Sequence, residues 1–441
     1  MGEMRVPADA LYGAQTQRAV ENFPISRLKF PRAFIRALGM IKSAAARVNG
    51  RIGQLPAELA SAIEKAAEEV AAGQHDGQFV ADIFQTGSGT STNMNANEVI
   101  GHLAKAHPND HVNRGQSSND VIPSAIHLSV AMLVREELLP AMGLLAGSLE
   151  QKADEFRGIV KIGRTHLQDA VPMLLGQEFS GYAAQVENCG ARIVAALEGI
   201  YELPLGGTAV GTGLNAIPGF AAEVIVELAE RTGLPLREAR NHFEAQAAKD
   251  AVSFLSGALK TYAVALTKIA NDIRWLASGP RCGLGELKLP ETQPGSSIMP
   301  GKVNPVIAES VLMACAQVIG YDAAITWCCA AGNFELNVMM PVMAYDLLES
   351  IDLLAAVSRN FEQRAVRGLE ADAARASGFV EQSLAMCTVL APEIGYERAA
   401  AIAKEAYRSG RTVREVAREM SGIPEDRLDQ LLDPRSQTGA V

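Results

Sequence analysis

Four segments of the chain interrupt helical pattern with the residue types that hold anions. They are QTGSGTSTNMNANE (85–98), HPNDHVNRGQSSND (107–120), KIGRTHLQD (161–169) and PGSSIMPGKVNP (294–305). Each precedes a helical stretch, where free backbone N–H groups and the helix dipole favour a carboxylate or phosphate. Ordinary capping and turn chemistry explains any one such Ser/Asn cluster. Four in one chain weaken that explanation. The sharpest is the last: Gly295, Ser296 and Ser297 allow a tight loop with donor amides, and Lys302 and Asn304 offer a cation and an amide to a substrate carboxylate.

Two other constellations fail on inspection. His107 and His111 have a metal-like spacing, but Pro108 argues against one helix carrying both, and no third ligand is evident. Gly211, Gly213 and Ala216 mimic a dinucleotide fingerprint, yet Pro218 follows and no βαβ context surrounds them. The six cysteines form no CxxC pair, so neither a zinc ribbon nor an iron–sulfur cluster is written here. No cofactor and no metal are expected.

The elements that must position these segments are helices. The chain of 441 residues is 48% hydrophobic, 20% charged and only 5% aromatic, a foldable composition rich in small aliphatics. Its net charge of −10 speaks against nucleic acid or an anionic membrane as principal partner. Five stretches, 124–156, 173–202, 241–277, 304–331 and 338–368, carry apolar residues at three- and four-residue spacing. At about 1.5 Å per residue the third would exceed 50 Å as one helix, so the reading is mainly α, with an elongated central bundle of about five long helices. Residues 1–113 form an N-terminal domain, 114–368 the bundle and 369–441 a small C-terminal helical domain. Residues 306–332 approach a membrane span in apolarity, but Glu309, Gln317 and Asp322 interrupt them, which favours a buried bundle helix. The N-terminus lacks the pattern of a secretory signal, and the expected compartment is the cytoplasm.

GSSIMPGKVNP resembles the signature of the fumarase/aspartase superfamily. GAQTQRAVENF, QTGSGTSTNMNANEVI, HPNDHVNRGQSSND, GRTHLQDAVPMLLGQE, GGTAVGTGLNA, SGPRCGLGE and GNFELNV all resemble class II fumarases, from residue 5 to about 435. The resemblance implies reversible anti-hydration of fumarate to L-malate through an aci-carboxylate. It implies Ser296 as the base, and Thr165–His166 as the family's threonine–histidine pair, with Glu309 as the acid that holds the histidine. Ser88, Thr90, Ser117, Ser118 and Asn119 match substrate-contacting residues, and Lys302 and Asn304 complete the loop. His107, Asn109 and Asp110 match a second anion-binding loop.

The chain also departs from the family. The strand-like lead usually preceding the N-terminal motif is absent, the connector before His107 is shorter by about a dozen residues, Tyr321-Asp322 replaces part of a GND triplet, and Trp327-Cys328-Cys329 is unusual. Against aspartase, where Gln is typical at position 166, His166 favours water as leaving group. Against a non-catalytic structural relative stand Ser296, His166, Lys302 and Glu309. If helices 124–156 and 173–202 pack antiparallel, Ser117–Asn119 and His166 lie roughly 45 Å apart. The resemblance implies a homotetramer of dihedral symmetry whose sites combine segments from different chains.

Overall fold

A computed structural model describes residues 2–293, 295 and 298–439. Among the described residues there are seventeen α-helices and little sheet, so the mainly α reading holds. The chain divides into two compact units. The first takes 1–140, 189–264 and 314–356, and the second 141–188, 265–313 and 357–441.

The first unit begins with α1 (Ala14–Asn22), α2 (Arg32–Arg51) and α3 (Ala57–Ala71), followed by α4 (Thr90–Ala104) and α5 (Ser118–Leu133). Phe34, Leu38, Ile41, Ala45 and Val48 recur on α2 at helical spacing and are buried, while Gly39, Ser43 and Gly50 form the opposite stripe that meets α3. Each fully buried Ile, Leu or Phe of this kind contributes about 1.5–3 kcal/mol. The two helices meet closely at Gly39, where a Cβ would stand 2.6 Å from the Ala71 nitrogen. Four donors hold the start of α1 on one carboxylate: the Gly13, Gln15 and Thr16 amides and the Thr16 hydroxyl all donate to Glu98, at 2.6–3.0 Å. An acid at a helix start complements the unpaired N–H groups there.

The chain continues from α5 through a π turn (Val134–Leu138) into α6 (Leu139–Glu155). It then forms strands β1 (Val160–Thr165) and β2 (Gln168–Leu174), and helices α7 (Leu175–Ile200) and α8 (Phe220–Thr232). The short α9 (His242–Ala247) comes next, followed by the long helices α10 (Asp250–Leu276), α11 (Val306–Ala330) and α12 (Met340–Arg364). The five long stretches therefore exist, with one correction: 241–277 is two helices. Ala248 and Lys249 break it, and the buried Lys249 ammonium donates to the Ala245 and Gln246 carbonyls at 2.8 and 2.9 Å, satisfying acceptors that the break leaves open. At about 1.5 Å per residue α10 is near 40 Å long.

In the second unit β1 and β2 form an antiparallel hairpin packed on α13 (Ala373–Val380). The C-terminal residues build their own core from Val380, Met386, Leu390, Ile402, Val416 and Leu428. Under the hairpin, Lys161 is buried beside Glu178 at 3.0 Å, and Arg164 grips Glu286 with two bonds of 2.7 and 3.1 Å. Arg375 ties down the SGPRCGLGE segment by donating to the Gly283 and Leu284 carbonyls at 2.8 and 2.9 Å.

α11 is long and apolar enough to cross a membrane by length and composition alone, and only 33% of its most apolar stretch is buried within the chain. The buried bundle helix read from the sequence is thus half-true here: Met313 and Trp327 are 69% and 79% exposed.

Candidate active site

The first unit holds two of the four polar segments side by side. Gly89, at φ +73°, turns the chain into α4, and a Cβ there would press on Ile122 at 2.8 Å. The preceding Gly87 passes so close to Val338 that a Cβ would overlap its carbonyl, and the Gly87 oxygen accepts from the Met340 amide at 3.1 Å. Ser88 and Thr90 stand at this turn with their hydroxyl oxygens 2.7 Å apart.

Ser117 is the N-cap of α5. Its hydroxyl accepts from the Asn119 amide at 3.2 Å, while the Ser117 amide donates to Asp120 at 2.9 Å, a reciprocal capping box. Ser118 accepts from the Asn93 side chain of α4 at 3.1 Å, and the Asn119 amide group donates to the Ala209 carbonyl at 2.8 Å.

These bonds leave a specific donor set. Ser117 and Ser118 act as acceptors, so each O–H remains able to donate; one hydroxyl of the Ser88–Thr90 pair is free to donate; Asn119 has a second N–H. The carboxylate beside them, Asp120, is buried and taken up by backbone amides, so these donors at the N-termini of adjacent helices suit a substrate carboxylate.

Behind this surface lies a polar layer that the sequence reading missed. Lys42, fully buried on α2, donates to Asn113 Oδ1 at 2.9 Å and Gln116 Oε1 at 3.0 Å. The same Asn113 oxygen accepts from Asn97 and Asn93 at 3.1 and 3.3 Å. Asp120 is fully buried and accepts from the Gly206 and Thr208 amides at 3.0 and 2.9 Å. Burial lowers the Lys42 ammonium to about 7, with the Asp120 charge opposing, and burial raises the Asp120 carboxyl to about 6 against its amide donors and Lys42. Two signals could have found these residues. Lys42 interrupts the apolar stripe of α2, and Ser117–Asp120 has the S-x-x-D spacing of a capping box.

The second unit holds the other two segments. KIGRTHLQD is not a loop leading directly into a helix, as its sequence suggested, but a hairpin. Thr165 ends β1, and His166 with Leu167 forms the two-residue turn, at φ +56° and +60°. Both residues are exposed, Leu167 by 77%. Ser296 and Ser297 lie outside the described residues. Next to them, Asn304 donates to the Gly295 carbonyl at 2.6 Å and closes the loop, and Gly295 has no room for a Cβ because the Lys302 carbonyl is there. Lys302 is exposed and borders a cleft of about 470 Å³ with Glu291, Gln293, Gly295, Met299 and Val303. Glu309 is exposed in the first turn of α11, and within this chain no hydrogen bond or ion pair joins it to His166.

His107, Asn109 and Asp110 form an exposed π turn (Pro108–Val112) in the first unit. The Asp110 amide and carboxylate each lie 3.1 Å from His107 Nδ1, so that nitrogen accepts from the amide in the neutral ring and donates to the carboxylate in the charged one. Among the described residues no group of three His, Cys, Asp or Glu is placed to hold a metal ion. The departures at 321–329 acquire partners: Asp322 accepts from Ser256 at 2.7 Å and pairs with Lys260 at 2.5 Å, and Cys328 is buried while Trp327 is exposed.

The chain matches a family model described as Lyase over residues 2–320 and one described as Fumarase C C-terminus over 386–439. It is 51% identical to a class II fumarate hydratase of Methylorubrum extorquens, over 99% of this chain and 95% of that protein. It is 55% identical to one from Mycobacterium tuberculosis, over 97% of this chain and 91% of that protein. Among solved structures, a recombinant class II fumarase from Schistosoma mansoni superposes with a TM-score of 0.96 at 41% identity, covering 99% of this chain and 98% of that one.

Proposed function

The chain belongs to the class II fumarate hydratase family, and from that premise we propose that it interconverts fumarate and L-malate by anti-addition of water. In the malate direction of approach, a base removes the C3 proton next to the C4 carboxylate. The electrons move onto that carboxylate as a dianionic aci-carboxylate, which then expels the C2 hydroxyl as water once an acid has protonated it. The observation that carries this reading is the donor set at the starts of α4 and α5, which leaves hydroxyl and amide donors open to a substrate carboxylate.

In this scheme Ser88, Thr90, Ser117, Ser118, Asn119 and Thr165 hold the substrate. Ser296 is the base, its alkoxide stabilised by loop amides and by Lys302, and Lys302 with Asn304 neutralises the charge gathering on the aci-carboxylate. His166, oriented by Glu309, moves the proton to the leaving hydroxyl. Because His166 and Glu309 are exposed and unpaired to each other in one chain, the complete site draws on several chains of a homotetramer. The apolar exposed residues of α11 fit that assembly. His107, Asn109 and Asp110 form a second anion loop. The reading also keeps the three-part division at 113/114 and 368/369 and the cytoplasm as the compartment.

One assay tests the reaction: the ultraviolet absorbance of fumarate is followed with malate and with aspartate supplied separately. Formation of fumarate from malate alone supports the reading, and formation from aspartate alone overturns it. Dialysis against EDTA leaves the malate rate unchanged.

A further inference from the structure

The buried layer behind the substrate-binding turn has no place in the chemistry just described, yet it is expensive to keep. A carboxylate and an ammonium without solvent each lose several kcal/mol of hydration, and an apolar pair would fill the same space at no such penalty. Helix capping alone does not require it, because one oxygen of Asp120 suffices for the Ser117 amide.

The second oxygen is what distinguishes the arrangement. It accepts from the amides of Gly206 and Thr208, about ninety positions further along the chain. Asn119 adds a parallel tie to the carbonyl of Ala209. Gly206 sits at φ +99° with a Cβ position 2.4 Å from Ala221, and Thr208, a β-branched residue, at φ +54°, so the 206–209 loop holds left-handed backbone that is strained at Thr208. Lys42 supports the turn from behind: it fixes Asn113 and Gln116 as acceptors, which turns the Asn113 amide toward the Gln116 carbonyl at 3.0 Å, directly before Ser117.

We propose that Asp120 is a positioning residue that clamps the 206–209 loop to the Ser117–Asn119 turn, and so fixes the geometry in which Ser117, Ser118 and Asn119 meet a dicarboxylate. The clamp acts on binding and not on the reacting bonds. It also brings the GGTAV segment (206–210) to the rim of the substrate site, with Val210 42% exposed. This inference rests on the fumarate/malate reading for its kinetic consequence, but the clamp itself is a structural claim with its own readout.

Asp120→Asn keeps the volume and removes the charge and one acceptor. Two measurements on the full-length variant decide the matter: amide hydrogen exchange of peptides covering 116–121 and 205–210, and steady-state kinetics with fumarate and with malate. The clamp predicts exchange at both segments at least about tenfold faster, with the rest of the chain unchanged. It predicts KM for both substrates raised about tenfold or more while kcat falls no more than about threefold. Gly206→Ala attacks the same contact from the loop side and gives the same pattern, which keeps the test open if Asp120→Asn fails to fold. Exchange at 205–210 within twofold of wild type overturns the clamp. Faster exchange with unchanged KM overturns its role in binding. A wild-type chain inactive on fumarate and malate overturns the functional reading instead, and the exchange data still decide the clamp.

Discussion

The candidate residues of the two units are held in opposite ways. At the starts of α4 and α5 the polar side chains are held by hydrogen bonds within the chain, down to a layer with the buried Lys42 and Asp120. At the β1–β2 turn, before α11 and in its first turn, the candidate groups His166, Lys302 and Glu309 are exposed and hold no partner among one another. The contrast shows that the donors at α4 and α5 are fixed by contacts within the chain, whereas His166, Lys302 and Glu309 stand on its surface. Preorganised donors lose little freedom on binding, and groups that move protons need access to the substrate.

The largest effects belong to the candidate proton-transfer residues. Ser296→Ala lowers kcat by about 10²–10⁴-fold, the range for a lost general base, with an unchanged circular dichroism spectrum. Near-wild-type turnover removes Ser296 from the mechanism. His166→Asn lowers kcat strongly and alters one limb of the bell-shaped pH–rate profile, and an unaltered profile makes the residue a turn former only.

The contrast between the two sets of residues is broken most directly by mixing them. An Asn119→Ala chain and a His166→Asn chain, each nearly inactive, regain activity when unfolded and reassembled together, with about a quarter of sites intact in a symmetric tetramer. Activity no greater than the average of the two parents shows that each site lies within one chain.

Smaller effects concern stability. His127 on α5 is buried, its ring bonded to the Glu202 carbonyl at 2.7 Å, and burial lowers it to about 4. Between pH 6.5 and 4 the unfolded chain therefore binds a proton that the native chain refuses, so stability is lost as pH falls through that window. In denaturant melts, His127→Gln shows a shallower decline there, and an identical slope removes His127 as the cause. The smallest change is at the exposed turn. Leu167 holds φ +60° in a two-residue hairpin turn, where Gly is favoured. Leu167→Gly stabilises the chain by roughly 0.5–1 kcal/mol, the left-handed penalty less the entropy of glycine. A lowered melting temperature means that the leucine is packed against another chain.

The sequence by itself determined the helices and the chemistry. The apolar spacing on α2, α5, α7, α11 and α12 depends on local periodicity, and the four polar segments are contiguous, so both are visible in one dimension. The family resemblance added the reaction. What only the tertiary structure decided are the contacts between distant residues. No local pattern announces that Lys249 ends a helix by turning back on its own carbonyls, or that KIGRTHLQD folds as a hairpin with His166 at its tip, because propensity yields to packing. Nor does it announce that one buried carboxylate, Asp120, gathers amides from positions 117, 206 and 208. Hydrogen bonds across such sequence distances exist only once the core has excluded water and brought those backbones together, and for that reason this layer is a property of the fold and not of any segment in it.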